Sequence, residues 1–242
     1  MAVETGKRYY TRVGTTADQA VVDAGLRSYM LRVYNYMASG VALTGIVAYL
    51  VAATPALSAA IFGTPLKWVV ILAPIVFVFF FSSKLEKMKA STAHTMFWVF
   101  AALMGLSLAS AFIVFTGQSI ARVFFITAGT FAAMSLYGYT TKRDLSKWGS
   151  FLIMGLIGVI LASLVNIFVG SSALQFAISV IGVLVFVGLT AYDTQDIKNM
   201  YSEHYDSETM SKLSISGALR LYLDFINLFM LLLQFLGIRR EE

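Results

Sequence analysis

The chain has 242 residues and a mass of 26.5 kDa; 58% of its residues are hydrophobic, only 13% are charged, and its mean hydropathy is +0.77. That charge is about half of the ~25% usual in soluble domains, so the bilayer must be solvent for most of the chain, and the same apolar excess excludes intrinsic disorder. With no cysteine there is no disulfide framework, iron–sulfur cluster, thiol nucleophile or cysteine zinc site. The net charge of +5 does not mark a nucleic-acid partner, because in a membrane protein basic residues collect in cytoplasmic loops.

Residues 1–28 are polar, mixed in charge and lack the short apolar run of a cleaved signal peptide, so they are expected to form a cytoplasmic tail ahead of a membrane domain over 29–238. Seven apolar segments follow, near 33–53, 67–83, 93–116, 121–140, 148–169, 173–197 and 213–237. Each has the roughly 17–25 residues that a helix needs to cross a hydrocarbon core about 30 Å thick. Runs such as Trp68-Val69-Val70-Ile71-Leu72 do not alternate as a membrane strand would. Thr54-Pro55 and Thr64-Pro65 bracket the first connection, and Pro74 is expected to kink the second segment. The fold class is therefore all-α, a polytopic membrane protein built as one seven-helix bundle.

Orientation follows from lysine and arginine. With the N-terminus inside, cytoplasmic regions hold thirteen of them, including Lys84, Lys87, Lys89, Lys142, Arg143 and Lys147. Outer regions hold four, Lys67, Arg122, Arg239 and Arg240. The Arg239-Arg240 pair fits this less well, and a re-entrant last segment with both termini inside is the alternative.

Ionisable groups within apolar helices are expensive and mark function. The sixth segment ends with Asp193 and Asp196, and the seventh carries Arg220 and Asp224. At about 100° per residue, Arg220, Asp224, Asn227 and Gln234 form one stripe along the last helix. A stripe on so apolar a helix should face the bundle interior, which makes this helix central. If Asp193 and Asp224 meet, they titrate as one unit, sense pH, and offer hard oxygen ligands to calcium. The competing arrangement has Arg220 neutralising Asp224 one turn away while Asp193 sits at the interface. Asp196 reads as an interfacial charge and Asn166 as an interhelical hydrogen-bonding group. Gly105, Ser107, Ala109, Ser110, Gly155 and Gly158 read as small residues permitting close helix approach. Glu203, His204, Asp206 and Glu208 read as a solvated loop, and His94 stands alone. No catalytic or nucleotide-binding motif supports an enzyme, and no cofactor is implied.

Gly188-Leu189-Thr190-Ala191-Tyr192-Asp193-Thr194-Gln195, followed by Leu221-Tyr222-Leu223-Asp224-Phe225-Ile226-Asn227-Leu228-Phe229, resembles the Bax inhibitor-1 family (transmembrane Bax inhibitor motif), and within it the bacterial YccA-like members. The resemblance implies six helices around a central seventh. It also implies a pH-sensitive calcium leak in which Asp193 and Asp224 act as sensor, gate and cation ligands, calcium being the transported ion. Arg220 is then a modulator of the pair, and Gln234 stands where many relatives carry a basic residue. The expected location is a bacterial inner membrane, with lipid and calcium as partners. A second reading is a protein that binds and modulates a membrane-bound protease through its N-terminal tail; a third is a proton-coupled transporter.

Overall fold

The structure is a computed structural model that describes residues 16–240. The described residues form eight α-helices: α1 (Thr16–Ala53), α2 (Pro55–Phe62), α3 (Leu66–Lys84), α4 (Ala90–Val114), α5 (Gly117–Thr140), α6 (Ser146–Val169), α7 (Ser172–Asn199) and α8 (Ser207–Leu236). All but α2 are long and apolar enough to cross a membrane. They coincide with the seven expected segments to within a few residues, except that α1 and α8 start earlier. Of the expected tail, residues 1–15 lie outside the described residues, and from Thr16 the chain is already helical. No strand forms among the described residues, as expected of a chain whose backbone groups must be satisfied within each span.

One local feature differs from the sequence reading. The first connection is not a plain polar turn: α2 fills it, starting with Pro55 in the first turn where a missing N–H costs nothing, and none of its residues is buried. The second segment continues through Pro74 as one helix, with Pro74 itself buried.

The last helix is the axis of the bundle. In its most apolar window 56% of residues are buried, against 11% for α3 and for α6. It packs against α1, α4, α5 and α7, whereas α3 packs on α4, and α6 on α7. The immediate ring around α8 thus has four helices, with α3 and α6 as outer flanks. Tyr222 anchors the centre: wholly buried, it lies edge-on to Phe97 and Phe100 of α4, and its hydroxyl is 2.7 Å from Thr44 Oγ1 of α1. Thr44 in turn donates to the Ala101 carbonyl at 2.8 Å, so one polar link joins three helices in the apolar core. Small residues set the closest approaches. A Cβ at Gly105 would press on the Thr44 carbonyl at 2.8 Å and one at Gly155 on Val185 at 2.9 Å, but Gly158 faces open space and performs no such role.

The end of α8 is tied to a neighbouring turn. Just beyond it, Phe115 and Arg239 form an antiparallel bridge; the Thr116 amide donates to Ile238 at 3.0 Å and the Arg240 amide to Val114 at 2.9 Å. The end of α8 is therefore clasped to the α4–α5 turn, on the face opposite the start of α1. At 30 residues α8 is long enough to cross a membrane.

Candidate functional site: a charged groove between the last three helices

Asp193 and Asp196 lie three residues apart on α7, close to one turn, and so project from the same side of the helix. Arg220 of α8 reaches both. Its Nη2 donates to Asp193 Oδ1, and its Nη1 donates to Asp196 Oδ2 at 2.6 Å. Asp193 is the more enclosed partner, its side chain 12% exposed against 38% for Asp196. One turn further along α8, Asp224 turns toward the same place and is 5% exposed. Its carboxyl and that of Asp193 are within hydrogen-bonding reach of each other, while Asp224 Oδ2 has no partner among the described residues.

The two carboxyls therefore meet across α7 and α8. The competing arrangement, Arg220 spent on Asp224, is not what forms: the hydrogen bonds of Arg220 run to Asp193 and Asp196. Asp196 is accordingly more than an interfacial charge, because it holds half of the guanidinium. A second orphan lies nearby. Tyr29 of α1 is 2% exposed, its ring stacks obliquely 5.8 Å from Tyr201, and its hydroxyl is unpartnered among the described residues.

Asp193, Arg220 and Asp224 open into a groove of about 660 Å³ between α6, α7 and α8. Asp193, Arg220, Asp224, Asn227 and Gln234 all line it, so the stripe inferred from helical spacing is real. Its surroundings differ from expectation. Because α6 packs on α7 and leaves α8 uncovered on that side, Asn227 and Gln234 are exposed along the groove instead of enclosed. Asn227 turns back to the Leu223 carbonyl at 2.8 Å. At the far end, Asn166 Nδ2 donates to Gln175 Oε1 at 3.1 Å, and Gln175 Nε2 donates to Gln234 Oε1 at 2.6 Å. This amide chain joins α6, α7 and α8 at the end opposite the acidic cluster. Asn166 does bridge helices as expected, but its partner Gln175 gave no sequence signal beyond being polar in an apolar segment.

Among the described residues no group of three or more His, Asp or Glu side chains converges as a ligand set. Asp193 and Asp224 can supply a cation with carboxylate oxygens, well short of the six to eight ligands of a resident calcium site. Elsewhere, the loop of Glu203, His204, Asp206 and Glu208 is exposed, as expected. Within it Asp206 caps α8 by accepting from the Thr209 amide at 3.1 Å. His94 is not alone: its Nε2 lies 3.3 Å from Tyr36 Oη and 3.2 Å from Ser211 Oγ. Gln195 ties α7 to the α5–α6 turn through the Leu145 amide and the Arg143 carbonyl, both at 2.8 Å.

A seven-span helical bundle, wound around its own last helix and carrying an ion-paired acidic cluster in a side groove, defines a class of polytopic membrane protein. The family model described as inhibitor of apoptosis-promoting Bax1 matches residues 26–241, and the chain belongs to that family, the Bax inhibitor-1 family. Its relatives include bacterial proteins. The chain is 50% identical to the inner membrane protein YbhL of Escherichia coli K12, over 90% of this chain and 94% of that one. It is 48% identical to protein RP147 of Rickettsia prowazekii, over 96% and 99%. It is 34% identical to the membrane protein SpyM3_0260 of Streptococcus pyogenes, over 89% and 94%.

Proposed function

We propose that the protein is a pH-sensitive cation leak of a bacterial inner membrane, carrying Ca²⁺, in which the Asp193–Asp224 pair senses protons and gates the groove. The observation that carries this reading is the meeting of two enclosed carboxyls from neighbouring helices, one of them with an oxygen left free. Adjacent carboxyls in a membrane interior titrate as a unit, so one proton changes the charge of the whole site. Hard oxygen donors match Ca²⁺, and the groove supplies further polar contacts at Asn227 and at the amide chain ending in Gln234. The location rests on the likeness to YbhL, and an N-terminus inside rests on the distribution of lysine and arginine.

Arg220 adds a second element. Its guanidinium sits against Asp193 and Asp196 as a tethered cation, where a mobile cation leaving Asp224 would pass next. Protonating the pair alters the field that holds Arg220 as well as the field that a passing ion meets. The test is calcium-dye flux in liposomes across a pH series. Wild-type flux should vary with pH, and Asp193→Asn and Asp224→Asn should each flatten that dependence. Unchanged flux and pH response in both variants would remove the mechanism.

A further inference from the structure

Away from the acidic groove, α1 and α5 stand apart and leave a slot along the opposite side of α8. The part nearer the start of α1 has a volume of about 710 Å³, within the ~300–1,000 Å³ of sites that enclose small organic ligands. Its walls are mostly apolar, with Ala38 and Ala42 on α1 and Ala128 and Ala132 on α5 set among larger residues such as Met37 and Phe131, and with Phe225 of α8 also lining it. The polar atoms inside are satisfied, since Tyr34 Oη lies 2.7 Å from Ser135 Oγ, which lies 2.9 Å from Thr194 Oγ1. From Arg27 to Ala42 the slot follows α1 for about 22 Å at 1.5 Å per residue, enough for one leaflet and its interface.

The mouth is cationic. Arg27 lines the slot and also a neighbouring polar shelf of about 670 Å³ that includes Ser28, Arg32 and Asn35. Arg27 is exposed and forms no ion pair among the described residues, and none of the acidic side chains described lines slot or shelf. Lys198 stands on Tyr139, another lining residue, 5.1 Å over its ring, with its ammonium donating to the Tyr139 carbonyl at 2.8 Å. A mostly apolar slot one leaflet long, ending on cations that form no ion pair among the described residues, matches an acyl chain joined to a phosphate.

We propose that the α1–α5 slot binds one anionic phospholipid, with an acyl chain along the alanine walls and its phosphate on the shelf of Arg27 and Arg32. The site is independent of the acidic groove and of the leak reading. Delipidated protein is mixed with phosphatidylglycerol or with phosphatidylcholine of the same chains, and bound lipid is counted by native mass spectrometry. One phosphatidylglycerol per chain should be retained in preference to phosphatidylcholine. Arg27→Gln should weaken that retention about fivefold, the effect of one basic residue at an anionic surface. Ala132→Leu, which fills the slot from an exposed wall position, should abolish it, whereas Arg122→Gln on the far face should leave it unchanged. Equal retention of the two lipids, or indifference to both Arg27→Gln and Ala132→Leu, overturns the proposal. Displacement by glycerol phosphate alone would overturn it in favour of a free-anion site. A two-chain mass lost in Ala132→Leu would overturn it in favour of a second copy seated in the slot.

Discussion

The Arg220→Gln substitution tests the charge cluster directly. Glutamine keeps most of the volume and one donor but removes the charge that faces Asp193 and Asp196. Breaking a fully buried ion pair from one side costs ~3–5 kcal/mol. Here the Arg220 side chain is 30% exposed, so solvent screens part of the loss, and about 2–3 kcal/mol is expected. The share belonging to Asp196 should be ~0–1 kcal/mol, because that carboxylate is more than a third exposed. A double-mutant cycle separates the two. Wild type, Arg220→Gln, Asp193→Asn, Asp196→Asn and the two doubles are unfolded by denaturant in mixed micelles. Arg220 should couple to Asp193 more strongly than to Asp196, and Asp193→Asn should recover part of the stability lost in Arg220→Gln. Equal coupling to both carboxylates, or a loss in Arg220→Gln below about 0.5 kcal/mol, would refute the view that enclosure of Asp193 makes this pair matter.

Two further expectations concern packing and capping. At Gly138 an added Cβ would run into the backbone carbonyl of Ala191, so Gly138→Ala must push α5 from α7 and should cost about 1–3 kcal/mol; at Gly129 it meets nothing, and Gly129→Ala should be neutral or stabilising by up to ~1 kcal/mol through helix propensity, both read from the same unfolding titration. At the start of α8, the Thr209 hydroxyl and then its amide hold the Asp206 carboxyl below its ordinary range. A carboxyl depressed by folding contributes its full stability above the unfolded pKa of about 3.9 and loses it as the pH falls through the lower folded value. Amide protection at Thr209 and Met210 should therefore drop on acidification through that window, and Asp206→Ala should show the low-protection behaviour at neutral pH.

The membrane spans were legible because the physics that sets them is local. A span must satisfy its own backbone, so length and hydropathy suffice to locate it. The centrality of α8 was legible for a similar reason, since a helix with an arginine and an aspartate one turn apart has to be shielded. What could not be read is how α7 is rotated against α8. Spacing along α8 made Arg220 a natural partner for Asp224; only the face that α7 presents decides that Asp193 and Asp196 take the guanidinium. The exposure of Asn227 and Gln234 was hidden too, because it follows from α6 preferring α7 over α8, a choice among apolar surfaces that look alike in sequence. Helix α2 was hidden because its eight residues carry no polar face to give a helical period.

The position of α8 also bears on how the molecule is made. The helix on which α1, α4, α5 and α7 pack is synthesised after the six other described spans. Until residues 207–236 emerge, Phe97 and Phe100 lack the ring of Tyr222, the Thr44 hydroxyl lacks one of its two partners, and Asp193 lacks its arginine. The six earlier spans therefore reach the bilayer as a shell with an unfilled middle. A ribosome stalled before Ser207 would release a product whose inserted spans are all present and whose core is absent, the state that membrane quality control has to detect. The clasp between Phe115 and Arg239 can close only once α8 has followed the other spans.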